Sequence, residues 1–217
     1  MTFEEALRGK KAALIDMDGV LYDSMPLHTV AWRETMLEEG LDIPSDEFFL
    51  YEGMTGAATI NLLMRREKGI ELSYEECMAI YARKAARFKA VGTKAVPMKG
   101  ALEKINLCHK AGLKTVLVTG SAQGSLLDRL DADYPGAFPP DMRVTALDVT
   151  HGKPHPEPYL KGLEKAGVSA DEAIVLENAP LGVRAGKAAG IFTIAWTTGP
   201  IPRSAFEAEG ADLILPR

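Results

Sequence analysis

Short, nearly continuous apolar runs recur along the chain: Ala12–Asp16 (AALID), Thr115–Thr119 (TVLVT), Ala173–Glu177 (AIVLE) and Ile191–Ala195 (IFTIA). A strand covered on both faces has no polar alternation, so these runs predict a parallel sheet sandwiched by helices. Val144–Ala146 and Leu213–Leu215 are weaker candidates of the same kind. Helical periodicity fills the intervals at Ala101–Lys110, Gly124–Leu130, Pro156–Lys165 and Gly182–Ala189. Two of these helices should end at glycine and pass straight into strands, at Lys110-Ala-Gly-Leu113 and Ala188-Ala-Gly-Ile191. The alternation predicts an α/β fold with a doubly wound, Rossmann-like parallel sheet.

One region breaks the alternation. From Met25 to Ala90 the chain reads as helix only, strongest over Ala31–Glu39, Ala57–Lys68 and Tyr74–Lys89. The last of these should start from a Ser73-x-x-Glu76 capping box. A stretch of about 65 residues is too long for a simple crossover and suits a small helical insert after the first strand. The expected division is a core of residues 1–24 and 91–217 with an all-helical cap domain at 25–90. The cap should sit over the C-terminal edge of the sheet, where open α/β folds bind ligands.

Composition narrows the class. The 217 residues, 47% hydrophobic and 25% charged, are ordinary for a globular chain that buries its own core. Two cysteines, Cys77 and Cys108, are too few for a disulfide scaffold and point to a reducing compartment. A formal charge of −5 without a long basic run argues against nucleic acid as a partner. No apolar run is long enough to span a bilayer, and the opening Met-Thr-Phe-Glu-Glu lacks a signal-peptide layout. The expectation is a cytoplasmic protein, monomeric or weakly oligomeric, with no membrane association.

Several motifs fail on inspection. Gly182-Val-Arg-Ala-Gly186-Lys187 has one residue too few for a P-loop and Ala188 where Ser or Thr is needed. His151 and His155 are four apart, but Pro154 and Pro156 forbid the helix that would pair them on zinc. There is no C-x-x-C and no G-x-S-x-G.

The chemistry gathers at strand ends. The first strand ends in Asp16-Met-Asp18-Gly19, and side chains two apart on an extended strand point the same way. Two such carboxylates repel unless a cation lies between them. Thr119-Gly120-Ser121 offers hydroxyls and backbone N–H groups for an anionic oxygen, Glu177-Asn178 offers hard oxygen ligands, and Lys153 in Gly-Lys-Pro offers an ammonium. Singly, each has a plain reading: a solvated Asp-rich turn, a helix cap at Ser121, a surface turn at Lys153, a solvated pair at Glu177-Asn178. Together they supply carboxylates, hydroxyl, cation and metal ligands at one sheet edge.

These four elements, Asp16-x-Asp18-Gly, Thr119, Gly-Lys153-Pro and Glu177-Asn178, resemble the four motifs of the haloacid dehalogenase-like phosphohydrolases. The helical insert is similar to their C1-type cap. Leu21-Tyr-Asp-Ser-Met-Pro-Leu-His28 and Trp32 resemble the β-phosphoglucomutase-like branch. The resemblance implies Asp16 as a nucleophile forming an aspartyl-phosphate and Asp18 as general acid and base. It implies that Thr119, with Ser121 and Gly120, binds the phosphoryl group and that Lys153 pairs with Asp16 and phosphate. It further implies Mg2+ on Asp16, the Asp18 carbonyl and Asn178, with Glu177 in support.

The chain departs from the mutase pattern in three places. Position 178 is Asn where most of the branch has Asp, and Tyr51-Glu52-Gly53-Met54-Thr55-Gly56 carries Glu52 at the basic cap position and Gly56 at the expected arginine. Lys84 does match a cap lysine. A carboxylate facing a phosphate site is unfavourable unless a metal ion intervenes, so Glu52 is expected to reach Mg2+ or one of its waters when the cap closes. Its plain alternative is an exposed cap residue. The Glu52 and Glu177-Asn-Ala-Pro-Leu-Gly strings look like an inorganic pyrophosphatase of this branch. The expectation is therefore a Mg2+-dependent phosphohydrolase with pyrophosphate as preferred substrate, Lys84 binding the leaving phosphate and His28 orienting Asp18 or the leaving group, with packing against Trp32 as its plain alternative. The alternatives are a β-phosphoglucomutase or a sugar-phosphate phosphatase. A receiver-like phosphoacceptor domain has no use for the insert.

Overall fold

The computed structural model describes residues 1–92, 95–121 and 124–217. A six-stranded, all-parallel sheet forms its centre, in the order β5-β4-β1-β6-β7-β8. These strands are β1 (Ala12–Ile15), β4 (Lys114–Val118), β5 (Arg143–Val144), β6 (Ala173–Glu177), β7 (Phe192–Thr197) and β8 (Leu213–Pro216). The four strongest apolar runs became the four inner strands. Every residue of β1 and β6 is buried, which is why neither strand alternates.

The two faces of the sheet carry separate cores. Ala13, Ile15, Leu117, Ile174 and Leu176 pack under α1 (Phe3–Ala6), α5 (Ala101–Lys110) and α6 (Gly124–Asp133). Ala12, Leu14, Val116, Val118 and Val175 pack under α7 (Glu157–Ala166) and α8 (Pro180–Ala188). Odd and even positions of β1 thus serve opposite layers, as a period of two requires. The string rejected as a P-loop lies inside α8. Among the described residues, no helix is long and apolar enough to cross a membrane.

The helical cap is built from α2 (Met25–Glu38), a 3-10 helix over Ser45–Tyr51, α3 (Gly56–Lys68) and α4 (Tyr74–Gly92). Met36, Phe48, Ile60, Leu63, Met64, Cys77 and Ile80 give it its own apolar centre. The expected capping box starts α4: Ser73 N donates to Glu76 Oε2 at 2.8 Å, and Glu76 N to Ser73 Oγ at 3.2 Å. Helix α2 begins six residues before the sequence pattern placed it. Its first turn buries Met25, His28 and Thr29, whose polar members hide the apolar period. A two-stranded antiparallel ribbon, β2 (Tyr22–Asp23) with β3 (Val96–Pro97), joins cap to core, and α9 (Arg203–Ala208) links β7 to β8. These three elements, of two to six residues, carry no continuous apolar run and were not anticipated from the sequence.

Candidate active site

The parallel register pairs Ile15 with Leu117 on one side and with Leu176 on the other. One step further along all three strands, Asp16 stands level with Val118 and Glu177. Two steps further, Thr119 and Asn178 flank Met17. The sheet alone therefore brings three of the four motifs to one edge. The chain leaves β1 in opposite directions to β4 and β6, so this edge is also the topological switch point.

Lys153 reaches the same edge from the loop before α7. Its Nζ donates to Asp16 Oδ1 at 2.5 Å, to Glu177 Oε1 at 2.6 Å and to the Val118 carbonyl at 3.1 Å. Its side chain is wholly buried. Burial disfavours the ammonium, but the charges of Asp16 and Glu177 outweigh it and hold the Lys153 pKa above the usual lysine value. Burial pushes Asp16 the other way, up to about 8, against the pull of Lys153 and with the push of Glu177 and Asp18. One cation between two carboxylates leaves the group short of positive charge, and a further cation would settle Asp16 as a carboxylate.

Glu177 is fully engaged by the protein. Its Oε1 accepts from Lys153 and from Tyr159 OH at 2.7 Å, and its Oε2 accepts the backbone N–H of Asn178 at 3.0 Å and of Ala179 at 3.2 Å. Any support it lends an ion would therefore pass through Lys153 and the backbone of Asn178. Tyr159 was not singled out by the sequence, since a lone tyrosine on an apolar helix face reads as core.

Asp18 is served by a different set. Ser24 Oγ donates to its Oδ1 at 2.6 Å, and His28 Nε2 lies 3.0 Å from the same atom. Burial raises the Asp18 pKa, but His28 and Ser24 outweigh it and hold the carboxyl below its usual range. Lys84 Nζ sits 2.7 Å from His28 Nδ1. A buried Lys84 ammonium can only donate, so Nδ1 is the acceptor and Nε2 carries the proton that His28 gives to Asp18. The rings of Trp32, Phe88 and Tyr81 surround Lys84 Nζ at 4.9, 5.3 and 5.7 Å. Burial lowers its pKa to about 7. The expected contact of Lys84 is with the leaving group; in the structure it faces His28 and lines the same cavity. Ser24 was missed because a serine before a helix reads as a cap.

Thr119 Oγ1 accepts the Ser121 N–H at 3.0 Å, and Thr119, Gly120 and Ser121 all line the cavity. Gly19, at φ 76°, turns the chain after Asp18. Any Cβ there would lie 2.0 Å from the Asn178 amide. Only glycine meets both demands.

Glu52 closes the site from the cap. It is 6% exposed and accepts a 2.8 Å hydrogen bond on Oε1 from Asn178 Nδ2. Its plain alternative, an exposed cap residue, is thereby excluded. Glu52 Oε2 and Asn178 Oδ1 are buried without a hydrogen-bond partner. Burial raises the Glu52 pKa well above the carboxylate range, and Asp16, Glu177 and Asp18 add to that rise. Two orphaned oxygens beside Asp16 form the hard donor set that Mg2+ takes. The residues present fit that ion. Gly56 leaves room for Tyr81, because a Cβ on Gly56 would lie 2.2 Å from that ring. An arginine there has no space in this closed arrangement.

These groups share a small pocket of about 60 Å³, lined by Asp16, Asp18, His28, Glu52, Lys84 and Thr119 among others. The cap is closed on the core: a Cβ on Gly120 would lie 2.6 Å from the Gly53 carbonyl. The two prolines do exclude a helix over His151–His155, as the sequence predicts. A turn nevertheless brings the two rings to 4.7 Å.

Comparisons with known proteins agree with this geometry. A protein from Bacteroides vulgatus, provisionally assigned as a β-phosphoglucomutase, superposes with a TM-score of 0.90 at 46% identity, over 98% of this chain and 90% of its own. Hexitol phosphatase A of Escherichia coli is 29% identical over 85% of this chain and 82% of its own length. A phosphorylated carbohydrates phosphatase of Thermotoga maritima is 31% identical over 83% and 82%. Residues 10–190 match the model of the haloacid dehalogenase-like hydrolases. That span runs from β1 through the cap to the Glu177-Asn178 strand end, and the chain belongs to this family of hydrolases.

Proposed function

We propose that the chain is a Mg2+-dependent phosphohydrolase that works through an aspartyl-phosphate and prefers inorganic pyrophosphate. The observation that carries this reading is Glu52, a buried cap carboxylate held against Asn178 with one oxygen unpartnered. Its carboxylate narrows the space left for a leaving group beside Lys84 and Thr119, which suits a small, highly charged substrate. Asp16, the Asp18 carbonyl, Asn178 and Glu52 would hold the ion. When bound, Mg2+ neutralises charge on the phosphoryl oxygens.

The chain's own groups divide the work. A carboxylate oxygen of Asp16 attacks phosphorus, and the bond to the leaving phosphate oxygen breaks with its electron pair. Asp18, held by Ser24 Oγ and His28 Nε2 and protonated once the anionic substrate is bound, gives its proton to the leaving oxygen, while Lys84 fixes His28 through Nδ1. Water then attacks the same phosphorus while Asp18 takes its proton, and Asp16 is released with orthophosphate. Lys153, Thr119 and the backbone at Gly120 and Ser121 hold the equatorial oxygens. Cap closure keeps bulk water away from these steps.

A second reading, hydrolysis or transfer on sugar phosphates, is favoured by the activities assigned to the relatives. Phosphate release from pyrophosphate, with and without Mg2+, separates the two. Rapid metal-dependent release that vanishes in Asp16→Asn is the expected result. No release from pyrophosphate, with turnover of β-glucose 1-phosphate or another sugar phosphate, overturns the substrate assignment.

A further inference from the structure

The loop that delivers Lys153 carries a second cluster on its outer side. His155 N donates to the Gly152 carbonyl at 3.0 Å, a turn that folds His155 back beside His151. Glu157, the first residue of α7, reaches the same place. Its Oε1 accepts the Thr150 N–H at 2.8 Å, and its Oε2 accepts the His151 N–H at 2.9 Å. The Glu157 carboxylate is thus oriented by two backbone donors, which hold it ionised with a pKa near 2. His151 Nδ1 lies 3.1 Å from Glu157 Oε2.

One ligand atom from each of His151, His155 and Glu157 lies within 4.8 Å of the others. In a tetrahedral shell with metal–nitrogen bonds of about 2.1 Å, neighbouring ligand atoms stand about 3.4 Å apart. Small rotations of the two exposed rings cover that difference, with His155 Nδ1 accepting the Glu157 N–H at 3.2 Å and its Nε2 left for an ion. Two imidazoles and a carboxylate suit Zn2+ and its transition-metal neighbours, and are a poor match for Mg2+.

We propose that His151, His155 and Glu157 form a binding site for a divalent transition-metal ion of the Zn2+ class, with water completing the shell. The ion ties together both sides of the loop whose middle residue is Lys153. It takes no part in the Asp16 site, because Lys153 points to the opposite side of the loop into the core.

Calorimetric titration with Zn2+ in millimolar Mg2+ tests the site, since excess Mg2+ occupies positions built from oxygen. One equivalent of Zn2+ should bind to the wild type and to Asp16→Asn with the same affinity. Affinity should fall at least tenfold in His155→Gln and vanish in the His151→Ala/His155→Ala double variant. Binding should also raise the wild-type melting temperature by about 3–5 °C at tenfold excess over Kd, with no shift in the double variant. Unchanged binding in the double variant, loss of binding in Asp16→Asn, or no binding to the wild type each overturns the proposal. The rings are exposed, so both histidine variants should melt with the wild type when Zn2+ is absent.

Discussion

Asn178 Nδ2 donates to Glu52 Oε1 at 2.8 Å across the seam between core and cap. The two residues are 126 positions apart in the chain, and both depart from the mutase pattern. The contact ties the departures together. An aspartate at 178 would set a carboxylate against Glu52 with no donor between them, whereas the amide supplies one. In a cycle of Glu52→Ala, Asn178→Ala and the double variant, kcat/KM for pyrophosphate should show a coupling of about 1–2 kcal/mol. Strict additivity would mean the pair does not act as a unit.

Glu52 should matter for small substrates more than for large ones. Glu52→Ala is expected to raise the Mg2+ concentration needed for half-maximal activity and to lower pyrophosphate turnover by at least about tenfold more than turnover of a bulky phosphate monoester. Parallel assays on the two substrates decide this. An equal loss on both would make Glu52 a bystander.

Lys153 neutralises two buried carboxylates, so its removal is a stability experiment as well as a kinetic one. Lys153→Met leaves Asp16 and Glu177 without their shared partner, and the loss of such a partner costs about 3–5 kcal/mol. Urea denaturation should show the drop. Asp16→Asn should keep the fold while turnover falls by three or more orders of magnitude. A stable Lys153→Met protein would contradict the buried triad.

The closed cap depends on close backbone approach. A Cβ on Gly120 meets the Gly53 carbonyl at 2.6 Å, and one on Gly152 meets Thr55 N at 2.9 Å. Gly120→Val should therefore hold the cap ajar, raising KM and lowering kcat while the core melts within a few degrees of wild type. Cap closure can be read directly from the fluorescence of Trp32. Wild-type kinetics in Gly120→Val would show that turnover does not need this closure.

Lys84 should leave a signature in stability against pH. Burial lowers its folded-state pKa to about 7, while the unfolded chain keeps the proton to about 10.4. Between these values the unfolded state binds the extra proton, so stability contributed here rises with pH from about 7 to about 10 and is flat below. Lys84→Met should flatten that rise. Denaturation of both proteins at neutral and alkaline pH checks it, and identical slopes would place the ammonium in solvent.

Much of this architecture is local. The Ala12–Ile15 and Ala173–Glu177 runs are buried on both faces, so their apolar continuity is visible without any partner. Gly112 and Gly190 do end their helices at positive φ, as the Lys-Ala-Gly-Leu and Ala-Ala-Gly-Ile strings predict. Strand boundaries moved by one or two residues, as at Phe192–Thr197, whose last residue is a half-buried threonine with no hydrophobic signal. Helix α2 grew by a turn and more because His28 and Thr29, both buried, are polar and hide the apolar period.

The chain by itself determined the order of the elements, the doubly wound sheet and the strand-end carboxylates, because periodicity, turn residues and motif spacing are properties of neighbouring residues. Tertiary structure alone decided which distant side chains share protons and charge. Glu52 meets Asn178, Lys84 meets His28 and Tyr159 meets Glu177 because the cap docks on the core and the helices on the sheet. His151 meets His155 because a turn takes the place of the helix that the prolines forbid. Distance in space is set by packing, and no local pattern of residues encodes it.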